Sequence, residues 1–416
     1  KTCFGSGFAH AHRRVLQLTL RMAGIMLSLL TVISALAIAQ AVVHPPLRTA
    51  GNQIVDATGR PVRLACVNWY GAHMERHVVN GLDKRPLGDI AASVAAMGFN
   101  CVRLVFSNDL YYKNPTVHPT AVAANPSLGG RPAMHAFDAV VEALTSRGVM
   151  VILNNHISEA GWCCSTDDGN GLWHTPTYPE SKWQKMWVDL AQRYKTNQRV
   201  VGADLRNELR KADGVKPTWG DGNAATDWAM AAEKCGNAVL RANSDLLIIV
   251  EGLDFANSLL AGAAPHADAN ALCTECHAQK HPVRLSMANR LVYSGHLYSW
   301  DGFLATSSLS AFERAVRQYE TYVTTEGKAF TAPFWLGEFG TNTADRTWNL
   351  TIQLLKKHPN LGWAYWALDG YQHSGGKGDD ESFGIFEQDY ITVRHPWKLA
   401  DLQSIMPANS STVVLV

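Results

Sequence analysis

Eight short apolar runs, each too brief for a helix and bounded by Gly, Pro or polar turn residues, alternate along this chain with segments of helical period. They lie at Arg63–Trp69, Asn100–Phe106, Met150–Asn155, Val200–Arg206, Leu246–Glu251, Leu291–His296, Phe334–Glu338 and Gly362–Ala367. Such runs, lacking an apolar-polar alternation, are how strands of a parallel sheet read when both faces are covered. Between them, Leu87–Met97, Ala133–Arg147, Glu180–Tyr194, Thr226–Asn243, Leu309–Thr325 and Ala344–His358 carry helical periodicity, with Pro or capping residues near several starts. Only the link after the fifth strand lacks a clear helix. An alternating βα pattern repeated about eight times predicts a TIM (β/α)8 barrel. A doubly wound open sheet is the competing arrangement, but no Gly-x-Gly-x-x-Gly follows the first strand and no P-loop is present. Ahead of the barrel, Gln53–Leu64 reads as two short strands around a Gly turn, a small N-terminal β-hairpin cap. With 47% hydrophobic and 18% charged residues, the chain can bury the large core that one such barrel needs.

Active sites of these barrels lie at the C-terminal ends of the strands, so those ends can be read in order. They carry Asn68 and Trp69, Arg103, Asn155 and His156, Asn207 and Glu208, Asp254 beyond the fifth strand, His296 and Tyr298, Glu338, and Trp366. Two of these are glutamates in equivalent positions, Glu208 and Glu338, which suggests that one repeating architecture delivers two carboxyl groups to one site. A pair of carboxyl groups is what glycoside hydrolysis requires. Arg103 sits inside an apolar strand, where an unpaired guanidinium is costly, so it must meet an anion, with Glu338 the expected partner.

The motifs Asn100-Cys-Val-Arg103-Leu, Leu153-Asn-Asn-His156, Arg206-Asn207-Glu208, His296-Leu-Tyr298, Trp335-Leu-Gly-Glu338-Phe-Gly and Trp363-Ala-Tyr-Trp366 together resemble a secreted glycoside hydrolase of family 5, the cellulase family of clan A. The resemblance runs from about Val55 to Ile405. It implies Glu208 as acid/base, Glu338 as nucleophile, Asn207 on the sugar 2-hydroxyl and Tyr298 touching the nucleophile. It further implies a supporting shell of Arg103, His156 and His296, with Trp366 as the sugar platform. One departure is Leu209, where many members carry Pro after the acid/base; it bears on the loop and the subfamily rather than the chemistry. Elementary electrostatics agrees with these roles. Retention places the two carboxyl groups about 5 Å apart, where their charges repel and one keeps its proton. Glu208 is expected to keep it, while Arg103 and the Tyr298 hydroxyl hold Glu338 ionised. Asn68, Trp69, Trp162 and Trp300 complete the expected substrate-binding set, the last two because loop tryptophans can stack on sugar faces. A lone histidine is commonly a satisfied core residue, and a tryptophan is commonly core filler; the strand-end and loop positions are what favour function here.

The predicted activity is therefore retaining hydrolysis of O-glycosidic β-linkages in a polysaccharide, with β-1,4-glucan preferred. Mannan-active or glycolipid-active hydrolysis and transglycosylation use the same carboxylates, and a catalytically silent sugar-binding barrel is the non-enzymatic alternative. No cofactor and no metal are expected. The acidic runs Asp167-Asp168 and Asp379-Asp380-Glu381 read as solvated loops before they read as calcium sites. A formal net charge of +1 leaves no basic surplus for nucleic acid, and a monomer with a carbohydrate partner is expected.

His12-Arg13-Arg14 and Arg21 precede the charge-free stretch Met22–Leu47, and Ala37-Ile38-Ala39 fits a small-x-small cleavage pattern. Residues 1–41 thus read as a signal peptide, with an uncleaved membrane anchor as the alternative, leaving 42–416 as the catalytic domain. Secretion to the extracellular space or cell wall follows, with Asn349-Leu-Thr and Asn409-Ser-Ser as glycosylation acceptors. Beyond Cys3, the cysteines are Cys66, Cys101, Cys163, Cys164, Cys235, Cys273 and Cys276, an odd number that leaves at least one thiol free or paired between chains. Cys273-Thr-Glu-Cys276-His277 matches a haem attachment pattern, but a loop staple within it, or pairing of either cysteine with Cys163, Cys164 or Cys235, is the simpler reading.

Overall fold

A hairpin of β1 (Arg48–Ala50) and β2 (Gln53–Val55) leads into the barrel strands β3 (Ala65–Trp69), β4 (Cys101–Ser107), β5 (Met150–Ile157), β6 (Val200–Asp204), β7 (Leu247–Glu251), β8 (Leu291–Leu297), β9 (Phe334–Phe339) and β10 (Gly362–Tyr365). The structure is a computed structural model and describes residues 43–257, 281–300, 308–320, 327–328, 331–374 and 377–407. All eight barrel strands run parallel, and β10 pairs with both β9 and β3, so the sheet closes on itself as the sequence predicts. Every residue of β3, β4, β5, β6 and β7 is buried, which explains the unbroken apolar runs. The described helices are α1 (Leu87–Ala96), α2 (Asn108–Lys113), α3 (Ala133–Thr145), α4 (Glu180–Arg193), α5 (Trp228–Ala242), α6 (Leu309–Glu320), α7 (Arg346–Lys357) and α8 (Pro396–Gln403). Among the described residues, no helix is long and apolar enough to cross a membrane. A second short hairpin, β11 (Tyr371–Ser374) with β12 (Lys377–Asp380), follows the last barrel strand. Residues 258–280 of the link after the fifth strand, the leader, Cys273, Cys276 and Asn409 lie outside the described residues.

Local chemistry accounts for the helix limits. Asp227 accepts a hydrogen bond from the Met230 amide at the start of α5, and Asp345 does the same for Trp348 at the start of α7. In α3, Met134, Phe137, Val140, Val141 and Leu144 recur at helical spacing and form the buried stripe against the barrel. The helix-facing strand side chains, such as Val67, Trp69, Val102, Leu104, Phe106, Val151 and Leu153, join one continuous core with these helices.

The N-terminal cap differs from its expected register. The hairpin turns at Gly51-Asn52, so the partner of Gln53–Val55 is Arg48–Ala50, upstream of it. Downstream, only an isolated bridge joins Val55 to Pro61. Pro61 has no N–H to extend a ladder, and Asp56 occupies the local amides instead, accepting from Thr58 and Arg60.

Candidate active site

Side chains alternate across a strand, so the β3 and β4 residues divide cleanly: Asn68 and Arg103, paired in register, face the barrel interior, while Trp69 and Leu104 face the helices. Arg103 is wholly buried near the barrel axis and serves as the hub of the site. Its Nε donates to Asp204 at 2.7 Å, Nη2 to Glu251 at 2.8 Å and to Asn207, and Nη1 to Glu338 at 2.6 Å and to Asn68. The expected pairing with Glu338 is present, but it is one of three carboxylates on a single guanidinium. These anions outweigh the burial cost and push the Arg103 pKa up.

Glu338 lies on β9 and also accepts from the Tyr298 hydroxyl at 2.9 Å. The glycine before it matters for the approach of the neighbouring strand: a Cβ on Gly337 would sit 2.5 Å from the Ser294 hydroxyl. Glu208 follows β6 and takes a left-handed backbone, φ 44°, with its N–H held at 2.8 Å by the Glu251 carboxylate. One Glu208 oxygen lies 2.8 Å from His296 Nδ1. Carboxylate oxygens of Glu208 and Glu338 lie within 4.8 Å of each other and of that imidazole.

Burial is the main influence on both carboxyl groups. It pushes Glu208 up to about 7, against the opposing pull of Arg210 and Arg103. It raises Glu338 as well, opposed by His296 and Arg103, with the Tyr298 hydroxyl also stabilising the charged form. Glu338 therefore does not sit in the ordinary carboxylate range that two donors alone would secure; desolvation exceeds them. Burial holds His296 down at about 4 and takes His156 well below its usual value, so both imidazoles are neutral. Glu251, buried beside Asp204, is pushed well above the usual range.

Aromatic rings line the mouth. Trp366 stacks on Tyr70 at 4.9 Å and on His156 at 5.5 Å. Trp162 is exposed and meets Tyr70 edge-on at 5.6 Å. Trp300, 66% exposed, stacks on Tyr298 at 4.4 Å and lies over Phe383. Two expected substrate contacts are not available. Trp69 is wholly buried on the helix side of β3, with its indole N–H on the Asn80 carbonyl, and has no face for a sugar. Asn68 points inward but is also wholly buried, between Arg103 and the Gly337 and Tyr365 carbonyls, so it braces the guanidinium. His156 hydrogen-bonds Asn154, which in turn donates to Asp204.

Asp204 and Glu251 are the buried carboxylates that the sequence reading passed over. Glu251 closes Leu-Ile-Ile-Val-Glu with the same apolar-run signal as Glu338, whereas Asp254, taken in its place, lies in the turn beyond β7. The cysteine pairing is one that the sequence did not specify: Cys66 pairs with Cys101 across β3 and β4 and Cys163 with Cys164, while Cys235 is a buried free thiol, as the odd count allows. Cys163 and Cys164 are thus not partners of Cys273 or Cys276. Asp168 pairs with Arg210, Asp380 with Arg394, and Glu381 accepts from Tyr70, so the acidic loop runs are tied to protein partners. Glu208, His296 and Glu338 are close enough to share a cation, and Arg103 already lends Glu338 a positive partner.

Comparison with known proteins shows which family the barrel belongs to. The family model described as Cellulase (glycosyl hydrolase family 5) matches residues 55–372. The chain belongs to glycosyl hydrolase family 5. As a family 5 member it is a glycosidase, hydrolysing O-glycosyl bonds. It is 32% identical over 358 residues to an endoglucanase of Paenibacillus polymyxa, covering 84% of each chain. It is 30% identical over 383 residues to the major extracellular endoglucanase of Xanthomonas campestris pv. campestris, covering 88% of this chain and 72% of that one. Among solved structures, an endocellulase from Pyrococcus horikoshii in complex with cellotetraose superposes with a TM-score of 0.69 at 25% identity, covering 87% of this chain and 99% of that one.

Proposed function

We propose that this family 5 enzyme cleaves β-1,4-glucan by double displacement, with Glu338 as nucleophile and Glu208 as acid/base. The observation that carries this reading is the closeness of the two carboxyl groups: each brings an oxygen within 4.8 Å of the other, which favours the short spacing of about 5 to 5.5 Å used by retaining glycosidases over the wider inverting arrangement. The two environments divide the roles. Glu338 receives a charge-assisted bond from Arg103 and one from Tyr298, so it carries the negative charge and attacks the anomeric carbon. Glu208, lifted to about 7 by burial and hydrogen-bonded to a neutral imidazole, keeps a proton for the leaving glycosidic oxygen. Esterification of Glu338 removes its charge, which lowers the Glu208 pKa and lets it take a proton from the attacking water. Asn207, its amide oxygen held by Arg103, addresses the sugar 2-hydroxyl, and Trp366 offers the platform beneath the ring being cleaved. Trp162 and Trp300 supply further stacking faces in the cleft.

The glucan assignment draws on the endoglucanases of Paenibacillus and Xanthomonas and on the cellotetraose complex of the Pyrococcus endocellulase. Extracellular action draws on the leader pattern of residues 1–41 and on the extracellular Xanthomonas relative, with residues 42–416 as the catalytic domain. The test is reducing-sugar release by the chain lacking residues 1–41 on β-1,4-glucan, mixed-linkage glucan, β-1,3-glucan and β-mannan, with Glu338→Ala as blank. Release from β-1,4-glucan, lost in the blank, is the expected result. Activity confined to mannan would overturn the substrate, and equal activity in the blank would overturn the mechanism.

A further inference from the structure

Asn207 is held from two sides, and only one of them belongs to the hub around Arg103. Its side-chain oxygen accepts from Arg103 Nη2 at 2.7 Å, which leaves the amide NH2 pointing the other way. That NH2 faces the sulfurs of the Cys163–Cys164 disulfide, 3.8 Å from Cys163 Sγ and 3.6 Å from Cys164 Sγ. The same two sulfurs lie within 4.8 Å of a Glu208 carboxylate oxygen. Cys163 is buried and Cys164 half-buried, and the exposed Trp162 immediately precedes them at the mouth of the cleft.

We infer that the Cys163–Cys164 disulfide is a positioning element of the reaction, stationing the Asn207 amide for the substrate 2-hydroxyl and covering the flank of Glu208. The inference rests on the proposed role of Asn207 at that hydroxyl. Its chemistry follows from what sulfur can and cannot do. Divalent sulfur is a weak hydrogen-bond acceptor. It can therefore orient the NH2 in the resting enzyme without competing with a sugar hydroxyl, whereas a carbonyl or carboxylate in the same place would retain the donor. A disulfide also has no proton to give. Two free thiols there could donate to Glu208 or to the Asn207 oxygen, favouring the ionised acid and a turned amide. Water in the same volume would both bind the NH2 and solvate Glu208. An oxidised pair of adjacent cysteines thus supplies an aprotic, weakly accepting wall, and its covering of Glu208 adds to the burial that keeps the acid protonated.

The experiment compares Cys163→Ala/Cys164→Ala with the parent and with Asn207→Ala on an aryl β-cellobioside and on its analogue lacking the 2-hydroxyl of the sugar to be cleaved. For the Cys variant, kcat/KM should fall about 10-fold on the full substrate, the scale of one hydrogen bond, and less than about 2-fold on the 2-deoxy analogue. The basic limb of its pH profile should move to lower pH, a change that a merely stabilising disulfide would not produce. Should the variant fold poorly, the folded parent is treated with a trialkylphosphine, which breaks the S–S bond and yields two thiols and, with oxygen from water, the phosphine oxide. Cys66 and Cys101 are wholly buried in the barrel, and peptide mapping after alkylation confirms reaction at Cys163 and Cys164. Equal losses on both substrates, or no loss, would overturn the inference while leaving the carboxylate mechanism intact, provided that Asn207→Ala still discriminates between them. If Asn207→Ala does not discriminate, the role of Asn207 itself fails, and the inference with it.

Discussion

Glu208 and Glu338 share a buried corner, but the donors around them are unequal, and pH should expose the difference. With Glu208 as the proposed general acid, loss of its proton should make kcat/KM decline on the alkaline side with a midpoint near 7. On the acid side, activity should fall as Glu338 takes up a proton. Tyr298→Phe removes a donor from the charged form of Glu338, so its pKa rises and the acid limb should move to higher pH. A shift to lower pH, measured with a soluble aryl glycoside, would contradict the assignment. The raised Glu208 value also has a stability consequence. In the unfolded chain the carboxyl ionises near 4.5, in the folded chain near 7, so the folded state binds the extra proton between those values. The stability contributed by this group is present below about pH 4.5 and lost as pH rises through 7. Glu208→Gln should therefore gain melting temperature relative to the parent as pH is raised from about 5 to 8, while turnover falls far more than about 10-fold.

Strand ends, rather than loops alone, hold the reacting groups in register. Glu251 at the end of β7 accepts from the Glu208 amide with one oxygen and from Arg103 with the other, so it ties the acid/base backbone to the guanidinium that holds Glu338. This is the support that the left-handed φ of Glu208 needs. Glu251→Gln keeps the shape but offers one acceptor oxygen, leaving either a buried N–H or part of the guanidinium unsatisfied. We expect kcat to fall about 10- to 100-fold with little change in KM; a rise in KM alone would assign Glu251 to substrate binding instead. The aromatic faces respond differently. Trp300 stands out from the loop after β8 and stacks on Tyr298, so Trp300→Ala should raise KM for long cello-oligosaccharides about 5- to 10-fold, the scale of one lost stacking contact.

Barrel closure joins the first strand to the last, and the Cys66–Cys101 disulfide staples β3 to β4 beside that closure. The bond closes a loop of 35 residues between wholly buried cysteines. On the chain-entropy account, Cys66→Ala/Cys101→Ala should cost about 3 to 4 kcal/mol of stability, read as a lower denaturant midpoint. Both pH limbs should stay in place, because this disulfide touches neither carboxylate. The two disulfides therefore make opposite predictions: one should alter stability and leave the pH profile, the other should alter the pH profile and the 2-hydroxyl dependence. Denaturation curves and pH profiles on the same two variants distinguish them.

The eight strands, most helix limits, and the carboxylate pair were legible because each depends on local physics: a fully covered parallel strand reads as an unbroken apolar run, and a helix as a 3.6-residue stripe. Arg103 was legible for the same reason, since a guanidinium in such a run demands an anion. Glu338 was legible as one such anion, but Asp204 and Glu251 were not. Asp204, Glu251 and Glu338 stand on three strands whose register around a closed barrel is set by long-range pairing. The orientation of Trp69 hung on a one-residue parity that places Asn68 inside and its neighbour outside, and a run apolar on both faces carries no sign of that parity. The hairpin partner of Gln53–Val55 and the pairing of Cys66 with Cys101 were equally hidden, because two candidate segments or several cysteines satisfy the same local rules. Residue types and strand ends thus specify the chemistry this chain can perform, whereas burial, register and the sharing of one buried cation determine which carboxyl keeps its proton.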